Sequence, residues 1–301
     1  MSGANAYNRR MIAKVEYLGF PNCVEISNGD AKLIVSTDFG PRILLYALDA
    51  GENILGWHGD AEVKTDLGTW KPYGGHRLWI APENMPLSYT PDNETAEYLI
   101  DGEFSARFIQ PLEPNTKTQK EITVTLSETG SEAVIDHKIT NHSDEEIELS
   151  AWALTIMRPG GEAVIPNEPA KSYGGENLLP VRSMAVWSYT DFTDPRWKFE
   201  KDAIRLRVDE NEHSPQKIGV LNKQGWAAYE WEDLIFVKRF DLVEDTVYPD
   251  MNSNTEVYVA GGFVEVETLS SIRTLQSEQF NTYSERWQLT KEKEQNNEIG
   301  V

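Results

Sequence analysis

Two acidic residues with alternate spacing, Glu265 and Glu267, lie in the segment GGFVEVETLS at 261–270. In a β-strand, residues i and i+2 share one face and lie about 7 Å apart. Mutual repulsion, together with the apolar neighbours Phe263 and Leu269 on that face, would raise the pKa of one carboxyl group, as a general base or acid requires. The same spacing is found on solvated outer faces of sheets, so both interpretations stay open.

A second candidate group lies in GGHRLWIAPE, at 74–83, which contains His76, Arg77, Trp79 and Glu83. Sugar-binding sites use this mixture, because an aromatic face covers the apolar C–H face of the ring while charged groups bind its hydroxyls. If the segment is extended, His76 and Arg77 point to opposite faces, so at most one of them contacts a ligand. The alternative is a buried tryptophan with an Arg–Glu ion pair that ties down a loop.

The elements that position these residues are predicted to be β-strands. Short β-type runs with frequent turn signals recur along the chain and favour a sandwich or barrel. The run EIELSAWALTIM is apolar on both faces from Trp152 onward, which predicts cover on both sides, one of them a second sheet and the other a loop, a further layer or a ligand groove. Long Gly/Pro-rich connections are expected at 158–180 and around 68–92, where function concentrates.

Composition restricts the class of protein. The 301 residues are 40% hydrophobic and predict one domain over 1–290 with a disordered tail at 291–301. The chain has 28 basic and 49 acidic residues, a net charge of −21, and no basic stripe, which argues against nucleic acid as a partner. No apolar run is long enough to span a bilayer, and the single cysteine, Cys23, excludes an internal disulfide, so we expect a cytoplasmic protein.

Several chemistries lack their motifs. A P-loop, a GxGxxG turn and a GxSxG elbow are all missing from the sequence, and no cluster has zinc-ligand spacing, so no cofactor or metal is predicted. His137 alternates with apolar residues and is expected to lie in the core. The acidic loop at 243–256 offers oxygen ligands for Ca²⁺ but lacks the EF-hand pattern.

The chain resembles the galactose-mutarotase-like superfamily, and most closely its DUF4380-type proteins. The matching segments are GPRILLYALDAGENILGW, GGHRLWIAPE, ITNHSDEEIELSAWALTIMRPGG, FVEVETLSS and YSERWQL. They follow one another in order over most of the chain. The resemblance implies an all-β fold, a β-supersandwich of large antiparallel sheets with long loops.

The resemblance also implies a reaction and its residues. In aldose 1-epimerases of this superfamily, a late Glu removes the proton of the anomeric hydroxyl, and the Glu267–Thr268 pair matches that position. GGHRLW is similar to the early substrate-binding segment, which carries over to His76 and Arg77. The epimerase acid histidine lies in an HxYF-like strand, where this chain has Trp152 or a neighbour instead.

The sequence therefore predicts a carbohydrate-active protein whose partner is a small sugar or glycan. The first hypothesis is an aldose 1-epimerase-like isomerase with Glu267 as base and His76 as acid. The predicted substrate-binding residues are Arg77, Trp79, Glu83, Trp152, Glu265 and Arg42. The alternative is a non-catalytic carbohydrate-binding protein of the same fold. A third hypothesis is an enzyme for uronic or phosphorylated sugars, for which Arg42, Arg77 and Arg158 would have to converge.

Overall fold

The structure, a computed structural model, describes residues 11–59 and 61–291. Twenty-five strands account for most of it, and the prediction of an all-β fold is confirmed. The strands are β1 (Ile12–Tyr17), β2 (Phe20–Ser27), β3 (Ala31–Ser36), β4 (Arg42–Leu48), β5 (Trp57–His58), β6 (Val63–Thr65), β7 (Gly68–Trp70), β8 (Tyr73–Gly74), β9 (His76–Ala81), β10 (Glu97–Gly102), β11 (Ser105–Ile109), β12 (Thr118–Leu126), β13 (Ala133–Asn141), β14 (Ile147–Met157), β15 (Glu162–Pro166), β16 (Met184–Val186), β17 (Trp197–Phe199), β18 (Ala203–Arg207), β19 (Gln216–Val220), β20 (Trp226–Trp231), β21 (Leu234–Phe240), β22 (Thr255–Ala260), β23 (Phe263–Leu269), β24 (Arg273–Leu275) and β25 (Phe280–Lys291). A 3₁₀ turn at Leu87–Tyr89 and a four-residue helical turn, α1, at Pro249–Asn252 complete the elements.

Two large antiparallel sheets form the framework. The eleven-stranded sheet has the order β1-β2-β3-β4-β9-β14-β23-β22-β19-β16, with β24 also paired to β14. The ten-stranded sheet has the order β10-β11-β12-β13-β25-β21-β20-β15-β18-β17. Two small ribbons, β5-β8 and β6-β7, lie in the connection that precedes β9. Within residues 11–59 and 61–291, no helix has the length and apolar character needed to cross a membrane.

One hydrophobic core is shared by both sheets. It takes Val264 and Val266 from β23, as the alternation in the sequence predicts, and Ile122 and Val124 from β12. Burying one side chain of this size contributes roughly 1.5–3 kcal/mol. Because alternate residues of each strand enter this core, the residues between them must lie on the outer face of their sheet.

The outer face of the eleven-stranded sheet carries five of the eight predicted site residues, Arg77, Trp79, Trp152, Glu265 and Glu267. Cross-strand pairing from β9 through β14, β23 and β22 to β19 aligns them in rows. The first row is Trp79, Trp152 and Leu269; the second is Arg77, Leu154, Glu267, Glu256 and Gly219; the third is Ile156, Glu265, Tyr258 and Lys217. Side chains on one face of adjacent strands lie about 4.5–5.5 Å apart at Cβ, so the rows bring these groups into contact.

A glycine pair allows β9 to begin where it does. Gly75 has a φ of +64°, and a Cβ placed there would lie 2.1 Å from the carbonyl oxygen of Ile43. Gly74, with a φ of +108°, would bring a Cβ to 2.3 Å from the carbonyl oxygen of Gly56. Only residues without a side chain permit this approach, which fixes His76 as the first residue of the strand.

Strands occupy both connections that the sequence predicts to be long loops. The connection expected at 158–180 contains β15, an interior strand of the ten-stranded sheet, because Ala163 and Ile165 enter the core beyond the turn at Gly160. Similarly, the connection around 68–92 contains β7, β8 and β9. The predicted tail at 291–301 lies outside the described residues, except that Lys291 ends β25.

Candidate functional site

A groove of about 490 Å³ lies on the outer face of the eleven-stranded sheet. Its aromatic lining consists of Trp70, Trp79, Tyr89, Trp152, Trp187, Tyr189, Tyr258 and Phe263. Its charged lining includes Arg77, Glu83, Lys217 and Glu265. The cover that the two-sided apolar pattern of β14 predicts is therefore the ten-stranded sheet on one side and this groove on the other.

The tryptophans form one wall in mutual contact. The rings of Trp79 and Trp152 are 5.5 Å apart, and those of Trp70 and Trp79 are 5.1 Å apart. Tyr89 packs edge-on against Trp79 at 5.1 Å. Aromatic pairs in such geometries each contribute about 0.5–1.5 kcal/mol beyond the area that they bury. These contacts hold the tryptophans together as one aromatic wall of the groove.

An ion pair lies at the floor of the groove. Arg77 Nη2 donates to Glu265 Oε1 at 2.9 Å, and the two residues are 2% and 7% exposed. The guanidinium carbon lies 4.6 Å from the ring centre of Trp79 and 5.3 Å from that of Trp70. The Nε and Nη1 atoms of Arg77 have no hydrogen-bond partner among the described residues. The predicted arginine is thus held in place between rings with donors unused.

A buried lysine with two carboxylates forms the next part of the floor. Lys217 Nζ lies 2.7 Å from Glu256 Oε2 and 3.1 Å from Glu267 Oε2. Its ammonium group also faces the rings of Trp152, at 4.8 Å, and Trp187, at 4.7 Å. Burial opposes the charge of Lys217, but the two carboxylates outweigh this effect and hold its pKa well above the ordinary value. Lys217 is therefore a fixed cation of the groove wall.

Glu267 lies on the groove side of β23, but it is covered. Its side chain is fully buried, and Trp152 Nε1 donates to its Oε2 atom at 2.8 Å. Burial raises the pKa of the Glu267 carboxyl, although Lys217 acts in the opposite direction. Burial also raises the pKa of Glu256 well above its ordinary value. Of the two carboxylates of β23, Glu265, two residues earlier, is the one that lines the groove.

His76 lies on the other face of β9, between the two sheets, and is fully buried. Its Nδ1 atom is 2.9 Å from Thr155 Oγ1, and its Nε2 atom is 2.8 Å from Nε2 of His137. His137 Nδ1 is 3.0 Å from the carbonyl oxygen of Tyr283, so that nitrogen must donate. A neutral His137 then accepts at Nε2, His76 donates to it, and Thr155 donates to His76. The structure does not bring His76 into the groove with Arg77, because adjacent residues of a strand face opposite sides.

Burial disfavours the protonated form of both His76 and His137. Burial, with the ammonium of Lys238 nearby, lowers the pKa of His76 well below its ordinary value. Burial also lowers the pKa of His137, against the effect of Glu285. The confirmed prediction here is that His137 is a core residue, 1% exposed.

The same histidines form a group that resembles a metal centre. Ligand atoms of His76, His137 and Glu285 lie within 4.8 Å of one another. However, Lys238 Nζ is 3.0 Å from Glu285 Oε1, and Trp287 Nε1 donates to Glu285 Oε2 at 2.8 Å. A metal ion would displace these hydrogen bonds and meet a buried ammonium, so the residues do not fit a cation. In loop 243–256, no three such ligands converge within the described part of the chain.

The remaining predicted site residues are divided between the groove and other places. Glu83 lines the groove, and its Oε1 atom accepts a hydrogen bond from the Tyr89 hydroxyl at 2.5 Å. Arg42 does not line it, because that buried guanidinium pairs with Asp92 at 2.5 Å. Arg158 pairs with Glu52 at 2.6 Å and stacks on a different tryptophan. The three arginines required for a site that binds acidic sugars therefore do not converge.

A second cavity, of about 510 Å³, lies beside β24 and the start of β25. Its lining includes Ser270, Arg273 and Asn281, but it contains no tryptophan and none of the predicted site residues. The aromatic groove is the better candidate, since it combines aromatic side chains with buried charged groups.

Sequence reasoning missed several residues of the groove. Lys217 stands out in neither charge nor spacing, and Trp187 and Tyr189 follow the edge strand β16. Glu256 and Tyr258 alternate in TEVYVA, as Glu265 and Glu267 do, which was a usable signal. Even so, only the register between β22 and β23 shows that the two patterns share a face.

Comparison with solved structures identifies the fold. A galactose mutarotase-like protein from Lactobacillus casei aligns with a TM-score of 0.57 at 11% identity, over 89% of this chain and 100% of that one. A candidate aldose 1-epimerase from Escherichia coli K12 aligns with a TM-score of 0.51 at 10% identity, over 90% and 99% of the chains. A galactose mutarotase-related enzyme from Lactobacillus acidophilus gives 0.50 at 9% identity, over 89% and 97%.

These similarities establish a galactose mutarotase-like β-sandwich fold, as the sequence segments predict. No protein-family model matches the sequence. No curated protein matches it either. The narrower resemblance to DUF4380-type proteins remains a prediction.

Proposed function

We propose that this protein binds a small sugar in the aromatic groove. The observation that carries the proposal is the placement of Arg77 and Glu265, an ion pair at 2.9 Å, directly beside the contacting rings of Trp70 and Trp79. A pyranose places its C–H face on such a ring and its hydroxyls on the adjacent charged groups. The names of the mutarotase-like relatives agree with a sugar ligand.

Binding is tested with a panel of neutral hexoses and pentoses, measured by calorimetry and by indole N–H shifts in NMR. We expect at least one sugar to bind and to shift indole signals of the groove. Arg77→Met should abolish this binding, and Arg107→Met is the matched control, since Arg107 forms an exposed ion pair on β11. Circular dichroism spectra of both variants should match the spectrum of the wild type, which checks that they fold. Shifts confined to tryptophans outside the groove would contradict the proposal.

An aldose 1-epimerase-like reaction is the second candidate. It is favoured by Glu267, which lies on the groove side of β23 with a carboxyl pKa raised by burial, as a general base requires. In that reaction a base removes the anomeric hydroxyl proton, the bond between C1 and the ring oxygen breaks, and an acid protonates the ring oxygen. Reclosure on the other face of the aldehyde exchanges the anomers.

The residues of this second candidate differ from those expected from the sequence. His76 faces the core, so the donor would have to be a groove residue such as Tyr258. Glu265 lines the groove and Glu267 lies beneath Trp152, so anomer exchange followed by NMR in Glu265→Gln and Glu267→Gln variants distinguishes the two bases. Equal exchange rates in wild type and both variants, for every sugar that binds, would leave a non-catalytic binding protein.

A further inference from the structure

We propose that the groove selects a sugar that carries a basic nitrogen, an amino sugar, with Glu83 as the counter-charge of its ammonium group. This inference rests on the proposed binding of a sugar and specifies the class of that ligand. It follows from the charged groups of the groove. Among the described residues, its two cations, Arg77 and Lys217, are paired with carboxylates of the protein, whereas Glu83 has no cation as a partner.

Both cations of the groove are already neutralised by the protein. Arg77 pairs with Glu265 at 2.9 Å. Lys217 pairs with two buried carboxylates, at 2.7 and 3.1 Å. An anionic sugar would therefore meet no uncompensated positive charge, and its own charge would be repelled by the carboxylates around it.

Glu83 is the carboxylate of the groove that remains unpaired. Within the described residues, no lysine or arginine nitrogen lies within ion-pair distance of it, and its Oε1 atom accepts a hydrogen bond from the hydroxyl of Tyr89 at 2.5 Å. Tyr89 is itself held by ring contacts with Trp79 at 5.1 Å and Trp70 at 5.3 Å. The position of Glu83 is thus fixed over the groove, although its side chain is exposed.

The aromatic lining complements a cation as well as a sugar ring. Ring faces attract an ammonium group through their negative potential. Burial, with the charges of Glu265 and Glu267, raises the pKa of the groove residue Tyr258 to about 12. Burial raises the pKa of Tyr89 too, and there the hydrogen bond and charge of Glu83 add to the shift. Burial is the largest cause of both shifts, and the nearby carboxylates add to it while Lys217 and Arg77 oppose it. Carboxylates thus lie beside the tyrosines of both walls, where a bound ammonium group would meet them.

The test compares matched sugars in calorimetry at a pH where the amine is protonated. Glucosamine, galactosamine and mannosamine are each measured beside the parent hexose, the N-acetyl derivative and, for glucose, the uronate. We expect at least one amino sugar to bind about tenfold more tightly than its parent hexose, a difference that calorimetry resolves easily. The N-acetyl derivative should lose this advantage, the uronate should bind most weakly, and added salt should reduce the difference.

Variants assign the preference to its residue. In Glu83→Gln, the ratio of amino-sugar to hexose affinity should fall to about one, because the counter-charge is removed while the side-chain shape is kept. Glu97→Gln, on the exposed edge strand β10, is the matched control and should keep the wild-type ratio. Equal affinity for amino sugar and hexose, or tighter binding of the uronate, would overturn the inference while sugar binding stands.

Two further outcomes separate the alternatives. If choline binds as tightly as the best amino sugar, the groove is a plain ammonium site and the sugar part of the inference is wrong. If no sugar of either kind binds, the proposed function fails, and the inference fails with it.

Discussion

The indole N–H of Trp152 donates to the carboxylate of Glu267 at 2.8 Å. Of these two residues, Trp152 lines the groove and Glu267 lies beneath it. The bond joins β14 to β23, where Trp152 pairs with Leu269 and Glu267 with Leu154. Trp152 therefore forms part of the groove wall and also donates a hydrogen bond to a fully buried carboxylate. This bond links the wall of the groove to the residues beneath it.

Replacing Trp152 with phenylalanine should destabilise the protein by about 1–3 kcal/mol, because Glu267 loses a donor while it stays buried. Chemical denaturation measures the change in the free energy of unfolding. Trp57→Phe is the matched control, since Trp57 is 41% exposed and its indole N–H has no hydrogen-bond partner within residues 11–59 and 61–291. A loss of equal size in both variants would show that the bond to Glu267 contributes nothing specific.

Lys217→Met should destabilise the protein by about 3–5 kcal/mol, because two buried carboxylates then share no cation. Adding Glu256→Gln to that variant removes one of the two charges and should restore part of the loss. A double-mutant cycle from thermal or urea unfolding measures the coupling between the two positions. Strictly additive effects would contradict the arrangement of Lys217 between Glu256 and Glu267.

Each buried histidine should lower the free energy of unfolding as the pH drops below about 6.5, the ordinary pKa of histidine, whereas the raised pKa values of Glu256 and Glu267 act in the opposite direction. Burial lowers the pKa of His76 and His137 in the folded state, so the unfolded state binds more protons in this range. For each histidine the slope approaches about 1.4 kcal/mol per pH unit between the ordinary and the folded pKa.

Urea unfolding at several pH values between 7.5 and 5 measures this slope. His142→Gln is the control, because His142 is only partly buried and contacts the exposed Glu278; it should keep the wild-type slope. A His137→Gln variant should show a shallower slope. Equal slopes in the wild type and in His137→Gln would contradict a His137 that is neutral in the folded protein.

Gly75→Ala should destabilise the protein by more than about 2 kcal/mol, because the new Cβ meets the carbonyl oxygen of Ile43 and adopts a left-handed backbone angle. Gly130→Ala separates these two causes. Gly130 has a similar φ of +73°, but no atom lies within 4 Å of an added Cβ. Its alanine variant should lose only about 1 kcal/mol, the backbone component. Equal losses at the two positions would exclude close packing as the reason for Gly75.

Alternation along single strands was accessible from the sequence. It placed Glu265 and Glu267 on one face with Val264 and Val266 on the other, and it separated His76 from Arg77. These results depend only on the two-residue period of a strand, which every extended segment obeys. The apolar pattern of β14 likewise required cover on both sides, and the groove provides one of them.

Only the tertiary structure decided which faces meet. The pairing of β22 with β23 and β19 brings Lys217 and Glu256 to Glu267, and no local pattern encodes that register. The tertiary structure also pairs Arg42, on β4, with Asp92 and so directs it away from the groove. Local periodicity fixes the side of a strand on which a residue lies. Its neighbours across the sheet depend on contacts between segments far apart in the chain, where the packing of the whole core selects one register.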